Sequence, residues 1–107
     1  MSGRDYLGEF EMVVMLTLLH LQDAAYGMTI RMEIEERTGR SVSIGAIYTT
    51  LRRLQRKGYV AAELGDPSPS RGGRAKKYFS LQPEGIEALQ RSKEMFTQLW
   101  KDLPEPF

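Results

Sequence analysis

Three arginines close together in the middle of the sequence could bind a polyanion. Arg52, Arg53 and Arg56 are spaced so that a helix would carry them as one cationic strip. The segment from Arg40 to Lys77 holds nine basic and two acidic residues, a net charge of +7, whereas the remainder of the chain has a net charge of −6. Because the whole 107-residue chain carries only +1, this separation of charge predicts a polyanionic partner for the middle segment.

A second cationic feature, the segment Arg71-Gly72-Gly73-Arg74, combines two guanidinium groups with glycines that let the backbone approach a phosphate closely. A glycine-rich loop can also hold a nucleotide, but this one has neither the Gly-Lys-Ser/Thr ending nor a following helix. Each feature alone has an ordinary interpretation, as a solvated helix face or as a turn. Both together, in a chain with acidic flanks, favour binding to double-stranded DNA.

The residue types that carry most catalysis and metal binding are scarce. There is no cysteine, which excludes a disulfide framework, thiolate metal ligands and a cysteine nucleophile. His20 is the single histidine, and within the apolar run Leu18–Leu21 we expect it at a helix end near the edge of the core. We therefore predict no catalytic residues, no cofactor and no metal ion, in a protein that is not an enzyme.

The sequence also lacks the features of membrane and exported proteins. No apolar stretch approaches the ~18–20 residues that span a bilayer. The apolar run that begins at Met12 follows Asp5, Glu9 and Glu11, whose charge is wrong for a signal peptide. We therefore expect a protein of the reducing cytoplasm, with one modest core.

Apolar periodicity predicts three helices before Gly58. They run from Asp5 or Gly8 to Leu21, from Tyr26 to Arg37, and from Ile44 to Lys57. Gly39 would cap the second helix, Ser43 would be the N-cap of the third, and Gly58 would end it. The first helix is apolar nearly all round, which is expected of the central helix of a monomer core or of a helix that a second subunit also covers.

Two alternating segments, Tyr59–Leu64 and Ala75–Leu81, predict a β-hairpin whose extended tip holds the cationic glycine segment. Val60 and Leu64 would share one face of the first strand. This hairpin would be the wing of a winged helix-turn-helix, in which the second and third helices are joined by a short turn.

A last helix from Pro83 to Leu103 carries an apolar stripe longer than its own core requires. The predicted fold class is therefore α+β and mostly helical. Residues 1–82 would form a winged helix-turn-helix DNA-binding domain, and residues 83–107 a C-terminal dimerisation helix and tail.

The third predicted helix has two opposite faces. One face, within a narrow arc toward the core, consists of Ile44, Ile47, Leu51 and Leu54. The opposite arc consists of Gly45, Thr49, Arg52 and Arg56, with Tyr48 and Arg53 on the flanks. A cationic helix face of this kind suits the major groove, and we expect Tyr48, Thr49 and Arg52 to meet base edges.

The remaining cations would position the protein on the DNA backbone. We expect Arg53, Arg56 and Lys57 to touch phosphates, as would the basic residues of the wing. The complete set of predicted DNA-binding residues is Ser43, Gly45, Tyr48, Thr49, Arg52, Arg53 and Arg56 in the third helix, and Arg71, Gly72, Gly73, Arg74, Lys76 and Lys77 in the wing.

Five stretches of the sequence carry motifs of a known family, and the resemblance extends over roughly residues 7–90. These stretches are Tyr26–Ile30, Ser43–Leu54, Lys57–Val60, Arg71–Phe79 and Leu81–Gly85. The most specific are the Gly-x-x-Tyr-x-x-Leu-x-Arg-Leu run that begins at Gly45 and the Gly-Gly-Arg of the wing. Through them the sequence resembles the PadR family of bacterial transcriptional regulators, and in particular its small subclass with a single C-terminal helix. Gln82, where the family more often has Thr, departs from the pattern and concerns only the capping of the last helix.

The resemblance implies a homodimer, formed by the first and last helices, that binds an inverted repeat and represses transcription until a small molecule or another signal acts. Some small members bind flat aromatic compounds in an apolar cavity between the subunits, which Phe96 and Trp100 would line here. The alternative is that both residues only pack the dimer. The predicted dimer surface is Leu7, Phe10, Met95, Phe96, Leu99, Trp100 and Leu103.

A winged helix can also serve as an adaptor that contacts proteins and not DNA. Such a module needs no basic recognition face, so the +7 middle segment speaks against this alternative.

Overall fold

Four helices and one β-hairpin follow one another in the order that the sequence predicts. The computed structural model describes residues 6–65 and 76–107. Its elements are α1 (Glu9–Leu21), α2 (Gly27–Thr38), α3 (Ile44–Arg56), β1 (Val60–Leu64), β2 (Lys77–Leu81) and α4 (Pro83–Trp100), with a 3₁₀ turn at Gln22–Ala24. This order confirms the mostly helical winged-helix fold. The cationic segment Arg71-Gly72-Gly73-Arg74 lies outside the described residues.

The predicted capping residues form the helix ends. The Ser43 hydroxyl oxygen accepts a hydrogen bond from the N–H of Ala46 at 3.0 Å, which satisfies one free amide of the first turn of α3. Gly39 adopts a left-handed conformation with φ of 75° after α2, and its N–H donates to the carbonyl of Glu35. Gly58, with φ of 80°, turns the chain from α3 toward β1.

The core lies where α1, α2 and α3 meet. Its largest fully buried side chains are Val14, Met15, Ile30, Ile34, Ile47, Leu51 and Leu54. Each such side chain contributes about 1.5–3 kcal/mol by leaving water, so this cluster holds the three helices at their mutual angles. Ile44, which the periodicity assigned to the same arc of α3, is only half-buried because it lies in the first turn at the edge of the core.

The two strands pair antiparallel, with Val60 opposite Leu81. The N–H of Phe79 donates to the carbonyl of Ala25 at 2.9 Å, so β2 is also fastened to the connection between α1 and α2. Phe79 is buried, but Leu64 is 69% exposed although it alternates in phase with Val60. Leu64 thus shares its side of β1 with Val60, but it is not buried, because the hairpin extends beyond the core that covers its base.

The last helix begins at Pro83, as predicted, and ends at Trp100, one turn before the expected end at Leu103. Its first turn lies against the chain that leads into β1. A β-carbon at Gly85 would be 2.4 Å from the carbonyl oxygen of Tyr59, so only glycine allows this close approach.

Candidate nucleic-acid interface

The face of α3 that points away from the core is exposed along its length. Its exposed residues are Ser43 at the N-cap, followed by Gly45, Thr49, Arg52 and Arg56. Within residues 6–65 and 76–107, neither Arg52 nor Arg56 forms an ion pair, so both guanidinium groups are available to an external anion. The buried arc of the same helix anchors this cationic face, which has the dimensions of one helix and suits the major groove.

Tyr48, on the flank of α3, is held against the body of the domain. Its ring packs edge-on against Phe79 of β2, with 6.0 Å between ring centroids and 60° between ring planes. It also lies so close to α2 that a β-carbon at Gly27 would be 2.6 Å from the tyrosine oxygen. The side chain is half-buried, and its orientation is set by α2 and β2 together.

Arg53 and Lys57, predicted to touch phosphates, have a partner inside the chain. The Lys57 Nζ donates to Oε2 of Glu11 at 3.1 Å, and the Arg53 Nη1 lies 3.8 Å from the same oxygen. The other carboxylate oxygen, Oε1, accepts from the N–H of Gly8 at 2.8 Å. Glu11 is only 6% exposed, so this carboxylate is a buried anion between the start of α1 and the end of α3.

The environment of Glu11 favours its charged form. Burial raises the pKa of the carboxyl group, but the hydrogen bonds from Gly8 and Lys57 and the charges of Lys57 and Arg53 lower it by more. The pKa of Glu11 therefore lies below its ordinary value of 4.5, and the group is ionised at neutral pH.

The lysines at the start of β2 lie beside the beginnings of α2 and α3. The Lys76 Nζ lies 4.5 Å from the centroid of the Tyr26 ring, a cation–π contact, and Tyr26 packs edge-on against Tyr78 at 5.4 Å. Lys77 is exposed. The concave surface at this place is lined by Tyr26, Gly27, Met28, Ile44, Tyr48, Lys76 and Lys77. The structure thus brings the base of the wing and the start of α3 together as one cationic face.

A second, apolar groove lies between α1 and α4, away from α3. It has a volume of about 460 Å³ and is lined by Met12, Leu16, Leu19, Ile86, Leu89, Gln90, Lys93 and Phe96. Leu16 and Leu19 are nearly half exposed, which is unusual for two leucines on a helix of the core. Phe96 lines this groove of the single chain, and the Trp100 ring packs edge-on against Phe107, with 5.9 Å between ring centroids.

The residues predicted for the dimer surface fall into two groups. Leu7 is 8% exposed and belongs to the core of a single chain, and Phe10 is half-buried beneath the Arg40 guanidinium. Met95 is half-buried. The most exposed members lie on the second half of α4 and just beyond it, and are Phe96, Leu99, Trp100 and Leu103.

Sequence reasoning missed Tyr26 and Gly27, which line the concave surface beside α3, and Glu11, which is buried between the start of α1 and the end of α3. Glu11 could have been noticed as a carboxylate that interrupts an otherwise apolar helix. Tyr26 and Gly27 lie in one of the stretches that carry the family resemblance, but their roles could not be predicted because they arise from contacts with distant residues, Lys76 and Tyr48.

Two classes of site have no support among the residues that the structure describes. Residues 6–65 and 76–107 contain no group of three His, Cys, Asp or Glu side chains that could hold a metal ion. No helix of this part of the chain has the length and hydropathy needed to cross a bilayer.

Three solved structures illustrate what this architecture is similar to. A PadR family transcriptional regulator from Eggerthella lenta has 26% sequence identity over 85% of this chain and 79% of its own, with a TM-score of 0.68. A PadR-like regulator from Bacillus cereus has 22% identity over 84% of this chain and 82% of its own, with a TM-score of 0.69. F93 from STIV, a winged-helix DNA-binding protein, has 17% identity over 94% of this chain and 100% of its own, with a TM-score of 0.70. The last two likenesses show the fold alone.

The sequence comparisons give the family. No curated protein matches the chain at a significant level. The family model described as the transcriptional regulator PadR-like family matches residues 15–91, which extend from the middle of α1 to the middle of α4. These residues include the whole cationic face and both strands of the wing. The chain therefore belongs to the PadR-like family of winged-helix, DNA-binding transcriptional regulators, and is not an enzyme.

Proposed function

We propose that the protein is a repressor that binds an inverted-repeat operator as a homodimer, with one copy of α3 in each of two successive major grooves. The observation that carries the proposal is the exposed arc of α3, in which Thr49, Arg52 and Arg56 face away from a fully buried set of core residues. In this proposal Arg52 and Thr49 meet base edges, and Arg56 contacts phosphate.

The wing supplies further phosphate contacts. Lys76 and Lys77 lie beside the start of α3, so they would reach the DNA backbone next to the groove that α3 enters. We assign the same role to Arg71 and Arg74, and this assignment rests on the sequence alone. Tyr48, which is clamped between Gly27 and Phe79, would meet the DNA at the junction of α3 and the wing rather than at the centre of the helix.

The dimer would form through α1 and α4. Leu16 and Leu19 on α1 and Phe96, Leu99 and Trp100 on α4 leave apolar area exposed in a single chain, and closed two-fold contact is the commonest way to cover such surface. The functional division is then residues 1–82 for DNA binding and residues 83–107 for dimerisation. Because the proposed partner is chromosomal DNA, we assign the protein to the cytoplasm.

A small aromatic effector is the proposed signal. The groove between α1 and α4 is apolar and carries the ring of Phe96 on its wall, as a site for a flat aromatic compound requires. Trp100 is the single tryptophan of the chain, so its fluorescence would report binding near the end of α4. In this proposal, occupancy of the groove lowers the affinity of the dimer for its operator.

The test is selection of an operator from a random DNA pool, followed by titration of variants on that operator and on unrelated DNA. We expect Arg52→Ala to lose about 1–3 kcal/mol on the operator and to discriminate less between bases at one position. Arg91→Ala, which removes an exposed charge from α4, is the matched control and should change little. Full operator preference in Arg52→Ala would show that Arg52 does not read bases. Absence of salt-dependent binding to any DNA by the unaltered protein would favour a protein-binding adaptor instead.

A further inference from the structure

Glu11 makes contacts that the stability of its own helix does not require. One oxygen of its carboxylate, Oε1, accepts from the N–H of Gly8 and so caps the start of α1. The other oxygen is directed at α3, where it holds Lys57 at 3.1 Å and Arg53 at 3.8 Å. A buried carboxylate is costly unless it is fully paired, and this one is paired across two helices.

The position of these contacts matters because α3 is the helix proposed to enter the major groove. Burial of Leu51 and Leu54 secures the inner side of α3 along the middle and end of the helix, but the hydrophobic effect that drives it has no direction of its own. The Glu11–Lys57 hydrogen bond is directional, and it fastens the carboxyl end of α3 to the amino end of α1. It therefore limits rotation and sliding of the recognition helix.

The same contacts decide which cations meet the DNA. The Lys57 side chain is 27% exposed and donates to Glu11, and the Arg53 side chain is 45% exposed and lies 3.8 Å from the same carboxylate oxygen. An anion held inside the protein competes with DNA phosphate for both side chains. By contrast, Arg52 and Arg56 form no ion pair within the described residues.

We propose that Glu11 is a positioning residue for specific DNA binding: it fixes the carboxyl end of α3 and withholds Lys57 and Arg53 from phosphate. This inference rests on the proposed function of α3. Its consequence is that contacts available to any DNA sequence are reduced, while the exposed arc of α3 keeps the orientation that reads an operator. Specificity is the ratio of the affinity for the operator to the affinity for unrelated DNA. Glu11 raises this ratio because it supports the first affinity and lowers the second.

The experiment compares the full-length protein with its Glu11→Gln variant on the selected operator and on unrelated duplex DNA, each over a series of salt concentrations. Gln keeps the acceptor oxygen that caps α1 but removes the charge that holds Lys57 and Arg53. We expect binding to unrelated DNA to become tighter and its salt dependence steeper, by about 0.9 in slope for each further phosphate that a released cation neutralises. We expect the ratio of operator to unrelated affinity to fall by about tenfold, the size of one lost base contact.

Two variants separate positioning from ordinary charge and stability effects. Glu87→Gln removes one exposed negative charge from α4 and controls for net charge. Glu11→Gln combined with Lys57→Met removes one of the released cations, and should return the salt slope on unrelated DNA toward that of the unaltered protein. A loss of stability alone would lower the active fraction equally on both DNAs and would leave both the affinity ratio and the slope unchanged.

The outcomes are distinguishable from those that test the proposed function. If the unaltered protein binds no DNA, the proposed function fails. If it prefers its operator and Glu11→Gln keeps the same affinity ratio and salt slope, the role of Glu11 is overturned. If Glu11→Gln unfolds, as melting and circular dichroism would show, Lys57→Met with Glu11 intact decides the matter. That variant should lower the affinity ratio, and an unchanged ratio would overturn the proposal.

Discussion

The ring of Tyr48 lies directly against the backbone of Gly27, so that a β-carbon on Gly27 would come within 2.6 Å of the tyrosine oxygen and 2.9 Å of the ring. This contact joins the start of α2 to the flank of α3. It explains why the smallest residue stands at Gly27, which is buried although it begins a helix.

Replacement of Gly27 by Ala should therefore destabilise the protein, although Ala favours helices over Gly. Tyr48 is also confined by Phe79, so relief of the clash costs about 1–3 kcal/mol. Gly45→Ala is the matched control, because a β-carbon there meets nothing closer than 4.0 Å, and it should stabilise α3 by up to about 1 kcal/mol. Thermal melting of the two variants checks both signs, and a gain of stability in Gly27→Ala would contradict the steric interpretation.

Acid should weaken the protein partly through Glu11. Gly8, Lys57 and Arg53 lower the pKa of Glu11 in the folded state. The ionised carboxylate therefore stabilises the fold at pH values above 4.5, the ordinary pKa of the group. That contribution is lost as the pH falls from about 4.5 through the lowered pKa. Denaturant unfolding should show that the free energy of unfolding falls less between neutral pH and pH 3 in Glu11→Gln than in the unaltered protein. Equal losses would mean that Glu11 does not stabilise the fold through its charge.

The proposed dimer makes a direct prediction for the end of α4. Trp100→Glu together with Leu103→Glu would place four carboxylates per dimer in an apolar contact, and we expect sedimentation at micromolar concentration to show monomers. Because both side chains are exposed in a single chain, each variant protomer should remain folded. Gln98→Glu adds a charge at an exposed position two residues before Trp100 on α4, and it is the control for an added charge. A stable monomer of the unaltered protein would refute dimerisation.

The wing should act through phosphate. Replacement of Arg71 and Arg74 by Ala removes up to four cationic contacts per dimer, so the slope of log affinity against log salt should become shallower by roughly 2–4. The preference for operator over unrelated DNA should change little, because phosphate contacts carry no sequence information. Salt titrations on two operators that differ only in flanking A·T content check this. A variant that keeps its slope but loses preference between the flanks would indicate that an arginine reads the minor groove.

Much of the fold could be predicted because its signals are local. The order of elements follows from apolar spacing, and the ends of α2 and α3 follow from Gly39, Ser43 and Gly58, whose backbone or side-chain chemistry suits those places. The cationic face of α3 was equally predictable. On one helix, the burial of Ile47 and Leu51 places Thr49 and Arg52 on the outside.

The differences between the predicted and the observed structure have a common physical cause. Alternation and periodicity predict the direction of a side chain, but they do not predict which residues surround it. Leu64 points to the same side of its strand as Val60, yet the core ends before it. The helical pattern of α4 continues toward Leu103, but the backbone leaves the helix at Lys101.

From the sequence alone came the fold class, the helix caps and the charged arc of α3, since each depends on residues that are neighbours along the chain or on one helix. The tertiary structure decided the pairing of Glu11 with Lys57, the packing of Tyr48 against Gly27 and the cation–π contact of Lys76 with Tyr26. These contacts join residues 21 to 50 positions apart in the chain. Their distances and orientations are set by how the helices and the hairpin pack, and no local pattern of residue types contains that information.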